Sequence, residues 1–457
     1  MKNRTEIDAI IKSAKSVHMI GIGGSGMCPL AEILHKKGYA ISGSDNNESD
    51  QLKRLRTLGI DIKMGNLAQN IGECDIVVYS AAISQDNPEL VEARKRGIPT
   101  IERSKLLGAL TRSFSNCIGV CGTHGKTTVS AMLTHILILN GLDPTAVIGG
   151  RLPLTNTNGV CGESDVMVCE SCEFVDTFLE LSPDTAVLLN IDNDHLDYFK
   201  TMENMCASFT KFVSMASTVI VNGDDGLAMD AVKGVGGKVI TFGFDKSLDY
   251  YADNLKKGAK GFAFDLINKG EVVCSVEVNI PGKHNVYNAL AAAVAALING
   301  VEPKGIASAI ASFGGAGRRF EVLGTVNGAV LVDDYAHHPT EIEATLRAAR
   351  EHCDGRLIAV FQPFTFSRTA LLLDEFAKAL SLADRVVLTP IMGSREKNVT
   401  GITSQHLAAL LPDCVCVEDF EGVKQEIKNY AKPCDTVITM GGGDIYKAAY
   451  LMRDEKI

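Results

Sequence analysis

The feature that most constrains the fold is the run GVCGTHGKTTVSAML at residues 119–133, whose pattern is that of a strand, a glycine-rich loop and a helix. It is close to the phosphate-binding pattern G-x-x-x-x-G-K-[ST], but Val120 stands where the first glycine would be. The chemistry survives this change, because backbone N–H groups of the loop and of the helix start still surround a phosphate. The run predicts binding of a nucleoside triphosphate, with Lys126 on the phosphate oxygens and Thr127 on Mg²⁺. The loop residues are Gly122, Thr123, His124, Gly125, Lys126, Thr127 and Thr128.

Short apolar strands alternate with amphipathic helices along the chain, which indicates α/β architecture with parallel sheets. A chain of 457 residues is too long for one ordinary core, so three domains are expected. We predict a Rossmann-like N-terminal domain at 1–108, a central P-loop mononucleotide-binding domain at 109–317, and a Rossmann-like C-terminal α/β domain at 318–457.

The charge balance excludes one broad class of function. The formal net charge is −10, whereas a general nucleic-acid binder needs clustered lysine and arginine to contact phosphates. The N-terminal run MKNRTEIDAIIKSAK is charged throughout and lacks the apolar region of a secretory signal. No apolar run reaches the length of a transmembrane helix. We therefore expect a cytoplasmic protein with no membrane insertion and no nucleic-acid partner.

The 13 cysteines are scattered, without paired C-x-x-C modules at zinc spacing. In a reducing compartment most of them should be buried thiols. Cys169 and Cys172 form a single C-x-x-C within a strand-like run, and we interpret it as structural or accidental.

An N-terminal strand at residues 17–22 runs into G-x-G-x-x-G, a helix, and a second strand at residues 39–42. In this arrangement glycines let the backbone approach a phosphate, and an acid near the second strand can reach a ribose or a base. Taken alone, the pattern is typical of an NAD-dependent Rossmann domain. A further strand at residues 75–79 ends in small residues. The candidate ligand-binding residues here are Gly21, Gly23, Gly26, Asp45 and Ser80.

Acidic residues follow two strands of the central domain. Glu170 and Glu173 lie at the end of one strand, and a second strand ends at Asn190. Just beyond it come Asp192, Asp194, His195 and Asp197. Clustered acids are costly to bury without a cation, so this pattern indicates a magnesium site.

Six motifs together resemble those of the Mur ligases of bacterial cell-wall synthesis, in the order that family has them. They are GTHGKTT, ESCEF with Glu173, NIDNDHLD, GKHNVYNALAAA, GAGRRFE and DDYAHHPTE. Within the family, the chain most resembles the ligase that adds L-alanine to UDP-N-acetylmuramate. The resemblance implies ATP-dependent amide formation, in which the muramoyl carboxylate attacks the γ-phosphate and the amine then attacks the resulting acyl phosphate.

The resemblance also implies roles for individual residues. The N-terminal glycine turn, with Asp45 and Ser80, would hold the UDP diphosphate rather than NAD. The implied metal site comprises Thr127, Glu173 and His195. Asn288, Arg319 and Asp334 would contact ATP together with the loop at 122–128. The implied catalytic residues are Lys126, His195, His337 and Arg368, of which Arg368 has the chemistry to clamp an amino-acid carboxylate.

Two departures from the family pattern limit this transfer. Phe364 and Thr365 stand where some members have His-Arg, so a second arginine clamp cannot be assumed. Lys211 is out of register with the carbamylated lysine of the later Mur ligases, which fits the alanine-adding member.

Two alternatives stay open at this stage. One is a recycling ligase that joins a preformed peptide to UDP-N-acetylmuramate. The other is an NAD(H)-dependent oxidoreductase with an added nucleotide-binding domain, which leaves GTHGKTT, Glu173 and His195 without a joint purpose. The expected partners are small-molecule substrates, and the chain is expected to be a monomer or a homodimer.

Overall fold

A computed structural model describes residues 4–394 and 396–454 of the chain. The chain divides into two compact units. The first contains the residues up to Asn193 together with Tyr198–Tyr251 and Leu290–Ala309. The second contains Asp194–Asp197, Ala252–Ala289 and the residues from Ile310 onward.

The N-terminal part of the first unit alternates strands with helices. Its strands are β1 (Ser16–Ile20), β2 (Ala40–Asp45), β3 (Asp61–Met64), β4 (Ile76–Tyr79) and β5 (Thr100–Glu102). Its helices are α1 (Arg4–Ser13), α2 (Cys28–Lys36), α3 (Asp50–Thr57), α4 (Pro88–Lys95) and α5 (Arg103–Thr111), with a 3₁₀ turn at Ala68–Asn70. The sheet has the order β3-β2-β1-β4-β5 and all its pairs are parallel, so the strands' carboxyl ends meet at one edge.

The central part of the chain has the P-loop strand in the middle of its sheet. Its strands are β6 (Asn116–Cys121), β7 (Thr145–Leu152), β8 (Thr157–Val160), β9 (Val166–Glu170), β10 (Thr185–Leu188), β11 (Thr218–Asn222), β12 (Lys238–Gly243), β13 (Tyr250–Lys257), β14 (Phe262–Asn268) and β15 (Glu271–Val278). Its helices are α6 (Lys126–Leu139), α7 (Leu196–Phe199), α8 (Met202–Val213), α9 (Gly226–Ala231), α10 (His284–Ile298) and α11 (Pro303–Ser312), with a 3₁₀ segment at Phe174–Glu180.

In the first unit these strands have the order β12-β11-β10-β6-β9-β7-β8. The pairs that join β12 to β7 are parallel, and only the β7–β8 pair is antiparallel. In the second unit β14 and β15 form an antiparallel hairpin. The alanine-rich stretch 291–296, within α10, is fully buried, as expected for close helix packing.

The C-terminal part of the second unit is a six-stranded sheet of order β16-β17-β21-β18-β19-β20. Its strands are β16 (Glu321–Val326), β17 (Ala329–Asp334), β18 (Leu357–Phe361), β19 (Arg385–Leu388), β20 (Cys414–Cys416) and β21 (Thr436–Met440). Its helices are α12 (Pro339–Arg350), α13 (Phe366–Leu371), α14 (Leu373–Leu380), α15 (Ser404–Ala408), α16 (Phe420–Tyr430) and α17 (Tyr446–Met452). Only β16 pairs antiparallel.

Strand β18 shows why this sheet is covered on both faces. Leu357 and Phe361 pack into one core cluster with residues of α12 and α14. Ile358 and Val360 pack into another with residues of α16 and α17. Since alternate side chains of a strand point to opposite faces, a central strand with helices on both sides is a continuous apolar run. The predicted α/β class with mainly parallel sheets is confirmed.

Candidate functional site

The glycine-rich loop turns tightly between β6 and α6. Gly122 and Gly125 have φ angles of +138° and +86°, values that favour glycine, and Gly125 is the N-cap of α6. The loop is braced by Asn190, which follows β10. Its side-chain oxygen accepts the His124 N–H at 2.8 Å, and its amide donates to the His124 carbonyl at 3.1 Å. Asn190 therefore fixes the loop at the start of a helix, where an anion is stabilised.

Lys126 is held by three acceptors. Its Nζ donates to the carbonyl oxygens of Gly122 at 2.5 Å and Thr123 at 2.9 Å, and it forms an ion pair with Glu173 at 2.9 Å. Burial alone would lower the pKa of Lys126, but the adjacent Glu173 carboxylate outweighs burial and holds that pKa well above its usual value. The lysine therefore stays charged and can neutralise charge on a phosphoryl group.

Two acids at the end of β9 have different partners. Glu170 accepts a hydrogen bond from the Thr127 hydroxyl at 2.8 Å and another from the Gly149 N–H at 2.5 Å. Glu173, 1% exposed, is paired with Lys126 instead. The sequence pattern placed both acids near a predicted magnesium site, whereas the family resemblance implied a ligand role for Glu173 only. The position of Glu170 in the sequence indicates its closeness to the P-loop, because Glu170 is the last residue of a strand that pairs in parallel with the P-loop strand.

The N-terminal glycine turn follows β1. Gly21 has a φ of +76°, and a side chain at Gly23 would collide with Leu52, since an added Cβ would lie 2.7 Å from its Cδ2. Asp45, the last residue of β2, accepts the Gly23 N–H at 2.9 Å. Four of the five predicted residues thus belong to one region: Gly21, Gly23, Gly26 and Asp45. Ser80 follows the neighbouring strand β4, and its hydroxyl accepts the Ala82 N–H at 3.2 Å.

A buried polar network lies behind this turn. His18 Nε2 contacts Glu89 Oε2 at 2.9 Å, and the side chains are 2% and 0% exposed. Ser44 donates to the same carboxylate oxygen at 2.8 Å. The Ser44 carbonyl in turn accepts the N–H groups of Gly21 and Ile22. This network could not be predicted from the sequence, because its members are widely separated along the chain.

In the second unit, Arg318 joins the chain before β16 to the loop after β21. Its guanidinium donates to Asp333 at 3.0 Å and to the carbonyl oxygens of Gly441 and Gly443. It also lies over the ring of Tyr446, 4.6 Å from the centroid. Arg318 is therefore a partnered structural residue. Its neighbour Arg319 lies over the Tyr335 ring, 5.0 Å from the centroid.

Asp334 is buried at the end of β17. Its two oxygens accept the N–H groups of Phe320 and Ala336, each at 2.7 Å. Burial raises the pKa of Asp334 to about 6, although the Arg319 charge and both hydrogen bonds oppose that rise. The polar end of β17 is therefore able to exchange a proton near neutral pH.

Arg368 is paired with Asp194 at 2.7 Å, and both side chains are about nine-tenths buried. Burial would raise the pKa of Asp194, but the charges of His195, Arg368, His337 and His338 hold it below the usual value. These side chains therefore form one group within the second unit. The predicted carboxylate clamp thus already holds a carboxylate of the protein.

The remaining predicted residues of the second unit have local partners. His337 Nδ1 is 3.2 Å from Glu341, and His338 caps α12, as expected from the proline that follows it. Asn288 is buried and donates to Asn285 at 2.8 Å. Phe364 packs edge-on against His337 with ring centroids 6.1 Å apart, so the position that departs from the family pattern is filled by apolar contact. The side chain of Asp197 lies outside the described structure.

The fold and the loop define the class of the protein. The protein has a parallel α/β sheet with a phosphate-binding loop, a charged lysine, and acids at the end of the neighbouring strand. This combination is typical of nucleotide-dependent phosphate-transfer enzymes. The chain belongs to the Mur ligase family. Residues 16–115 match the model "Mur ligase family, catalytic domain", residues 120–296 match "Mur ligase middle domain", and residues 318–443 match "Mur ligase, glutamate ligase domain". The predicted three-domain architecture is thereby confirmed.

Relatives cover nearly the whole chain. It is 42% identical to the UDP-N-acetylmuramate–L-alanine ligase of Caldicellulosiruptor saccharolyticus, over 96% of this chain and 98% of the relative. It is 41% identical to the enzyme of the same name from Acetivibrio thermocellus, over 97% and 96%.

Two solved structures are also similar. The UDP-N-acetylmuramate-alanine ligase of Thermotoga maritima has a TM-score of 0.82 at 28% identity and covers 96% of this chain and 98% of its own. A murein peptide ligase of Psychrobacter arcticus has a TM-score of 0.77 at 26% identity, over 97% and 99%. Among the described residues, no helix has the length and apolar character needed to cross a membrane.

Proposed function

We propose that this chain is an ATP-dependent ligase that joins L-alanine to the lactyl carboxylate of UDP-N-acetylmuramate. The observation that carries the proposal is its likeness, along almost its full length, to alanine ligases that are about 40% identical. The proposed reaction begins with attack of the carboxylate on the γ-phosphate of ATP. The resulting acyl phosphate is then attacked by the amine of L-alanine, with loss of phosphate.

Lys126 is the residue we place on the transferring phosphoryl group. Its charge is secured by the pairing with Glu173, and the loop N–H groups lie at the N-terminus of α6. Such fixed donors act most strongly where charge develops during transfer. The glycine turn, with Asp45 and Ser80, is proposed to hold the UDP part of the substrate. In this proposal the turn binds the nucleotide sugar in place of NAD.

Oxygen donors suit Mg²⁺, which favours carboxylates, hydroxyls and water. Thr127 and Glu170 already contact each other beside the loop, and this donor set fits the ion. We therefore add Glu170 to the proposed ligands Thr127, Glu173 and His195. A bound Mg²⁺ would neutralise charge on the phosphates. Further roles are proposed from the family motifs: ATP contact for Asn288, Arg319 and Asp334, and contact with the amino acid or the nascent amide for His337 and Arg368.

The first test is ADP release with ATP, Mg²⁺ and UDP-N-acetylmuramate, with products identified by mass. We expect turnover with L-alanine and a product heavier by one alanyl residue, lost when EDTA removes the metal. Glycine, L-serine and the muramyl tripeptide are compared in parallel. Turnover only with the peptide would favour the recycling ligase, and NADH oxidation without ADP release would favour the oxidoreductase. Lys211→Ala, at an exposed position of α8, is the control variant and should keep full activity.

We further infer that the enzyme acts in the cytoplasm as a monomer or a homodimer on small-molecule substrates. The net charge of −10 supports the absence of a nucleic-acid partner. Light scattering after size-exclusion chromatography decides the oligomeric state, since one chain has a mass of 48.9 kDa.

A further inference from the structure

The N-terminal glycine turn has few free N–H groups for a diphosphate. The Gly21 and Ile22 N–H groups both donate to the Ser44 carbonyl, at 2.8 and 3.0 Å. The Gly23 N–H donates to Asp45 at 2.9 Å, and the Gly24 N–H donates to the Gly21 carbonyl at 3.1 Å. Four successive donors are therefore used within the turn. Of the N–H groups of the turn, those of Ser25 and Gly26 are left for an anion, so a positive group from another element would strengthen its binding.

Arg103 is in position to supply that group. It is the first residue of α5, directly after β5 at the edge of the same sheet. A Cβ added at Gly26, the last glycine of the turn, would lie 3.2 Å from Arg103 Nη1 and 3.3 Å from its Cζ. The guanidinium therefore packs directly against the glycine turn, and the absence of a side chain at Gly26 makes room for it.

The guanidinium groups of Arg103 and of the nearby Arg112 differ in their contacts. Within residues 4–394 and 396–454, its half-buried guanidinium has no hydrogen bond and no ion pair. By contrast, Arg112, just after the same helix, is paired with Asp8 and donates to the Glu180 carbonyl. The guanidinium nitrogens of Arg103 keep contact with solvent, so they are available to an anion that binds at the turn.

A small cavity extends from Arg103 toward the P-loop domain. Its lining includes Arg103, Leu107, Phe178 and Glu170, the last residue of β9. Glu170 is also the acid that contacts Thr127 of the P-loop. Arg103 therefore lies between the proposed nucleotide-sugar turn and the strand end that serves the phosphate-binding loop.

We propose that Arg103 is a substrate-binding residue whose guanidinium binds the diphosphate of the nucleotide sugar. The inference depends on the proposed function for the identity of the ligand. Arginine suits this role because its planar donors match phosphate oxygens in pairs. No role was assigned to Arg103 from the sequence, since it stands outside the glycine motif and about 80 residues after it.

The test measures dissociation constants by calorimetry for wild type, Arg103→Ala, Arg103→Lys and the control Lys105→Ala. Lys105 has the same charge on the same helix and does not line the cavity. The ligands are uridine, UDP, UDP-N-acetylglucosamine, UDP-N-acetylmuramate and ATP. We expect Arg103→Ala to weaken the three diphosphates roughly 10- to 100-fold, as for loss of a charge-assisted hydrogen bond. Arg103→Lys should recover part of the loss, while uridine and ATP should change less than about twofold, within the usual range for surface substitutions.

Several results would overturn the assignment. Wild-type affinity of Arg103→Ala for UDP would exclude contact with the diphosphate. An equal loss for uridine would indicate a structural role, and a loss confined to UDP-N-acetylmuramate would move the contact to the lactyl carboxylate. If the wild-type enzyme bound ATP but none of the uridine nucleotides, the proposed function itself would fail, which is a distinct outcome.

Discussion

Lys126 has all three of its N–H bonds engaged, with two loop carbonyls and Glu173. Binding of a triphosphate must therefore exchange at least one protein acceptor for a phosphate oxygen. The existing hydrogen bonds fix the direction of the ammonium before a ligand arrives, which is a form of preorganisation.

We expect Lys126→Ala to lower turnover by at least about 100-fold, because a positioned charge on the transferring group is lost. Binding of the nucleotide sugar should stay within about twofold, since its proposed residues belong to a different sheet and turn. Steady-state kinetics and calorimetry measure the two effects. Near-normal turnover would remove the lysine from the reaction.

A matched variant separates chemistry from folding. Removal of Lys126 leaves Glu173 buried without its cation, which is itself destabilising. The double variant Lys126→Met, Glu173→Gln removes both charges together. We expect it to recover thermal stability while staying inactive. Recovery of activity along with stability would show that the single variant was merely unfolded.

At the scale of elements, helix α4 and strands β1 and β2 are joined through one carboxylate. Glu89, at the start of α4, accepts from His18 on β1 and Ser44 on β2, and Ser44 holds the glycine turn through its carbonyl. The helix start also favours a negative charge. The turn is thus positioned by a helix that does not belong to the G-x-G-x-x-G motif.

We expect Glu89→Gln to lower the free energy of unfolding by about 1–3 kcal/mol, because a buried charged acceptor is replaced by a group with fewer lone pairs. The KM for the nucleotide sugar should rise, while the KM for ATP should not. The control is Glu92→Gln on the same helix, whose ion pair with Arg96 is more exposed and should matter little. Equal effects of the two substitutions would contradict a positioning role for Glu89.

The elements themselves were largely predictable. Strand β18 (Leu357–Phe361) is recognisable in the sequence, because a buried strand with helices on both faces is an uninterrupted apolar run. The second strand extends to Asp45 rather than ending at residue 42, since GSD at its end carries no apolar signal. Side-chain pairing was not predictable. The Thr127–Glu170 and His18–Glu89 contacts join residues 43 and 71 positions apart.

For the whole molecule, stability should depend on pH through Asp334. Its pKa is about 6 in the folded state against an ordinary value of 3.8, so the folded state keeps the proton longer. The cost of ionising this group is absent below pH about 4 and grows as pH rises to about 6, reaching about 3 kcal/mol. The contribution therefore favours unfolding at neutral pH.

We expect Asp334→Asn to gain stability relative to wild type as pH is raised from 4 to 7, since the amide cannot ionise. At pH 4 the variant should be the less stable protein, because asparagine has one acceptor oxygen for the two N–H groups of Phe320 and Ala336. Urea unfolding at several pH values measures the difference. A difference that stays constant with pH would show that Asp334 does not titrate in this window.

The three-domain organisation followed from chain length and from the order of the motifs, and the family models confirm it. The proposed boundaries at 108 and 317 stay predictions. Chain length limits the number of domains. Strand patterns and glycine motifs indicate the architecture, because each consists of residues that are close together in the sequence. The contact of Glu170 with Thr127 and the position of Arg103 required the structure, because each depends on what the side chain touches across the fold.

Both anion loops are closed by carboxylates of the protein, Asp45 on the Gly23 N–H and Glu173 on Lys126. This has a consequence for inhibitor design. A small acidic fragment gains little at either loop, because it trades one carboxylate for another and still loses its own hydration. A compound that brings a cationic or amide donor to Asp45 leaves the turn as it is and adds a contact, whereas Glu173 is buried against Lys126. Screening collections rich in phosphate mimics would therefore overlook compounds that carry a donor for Asp45.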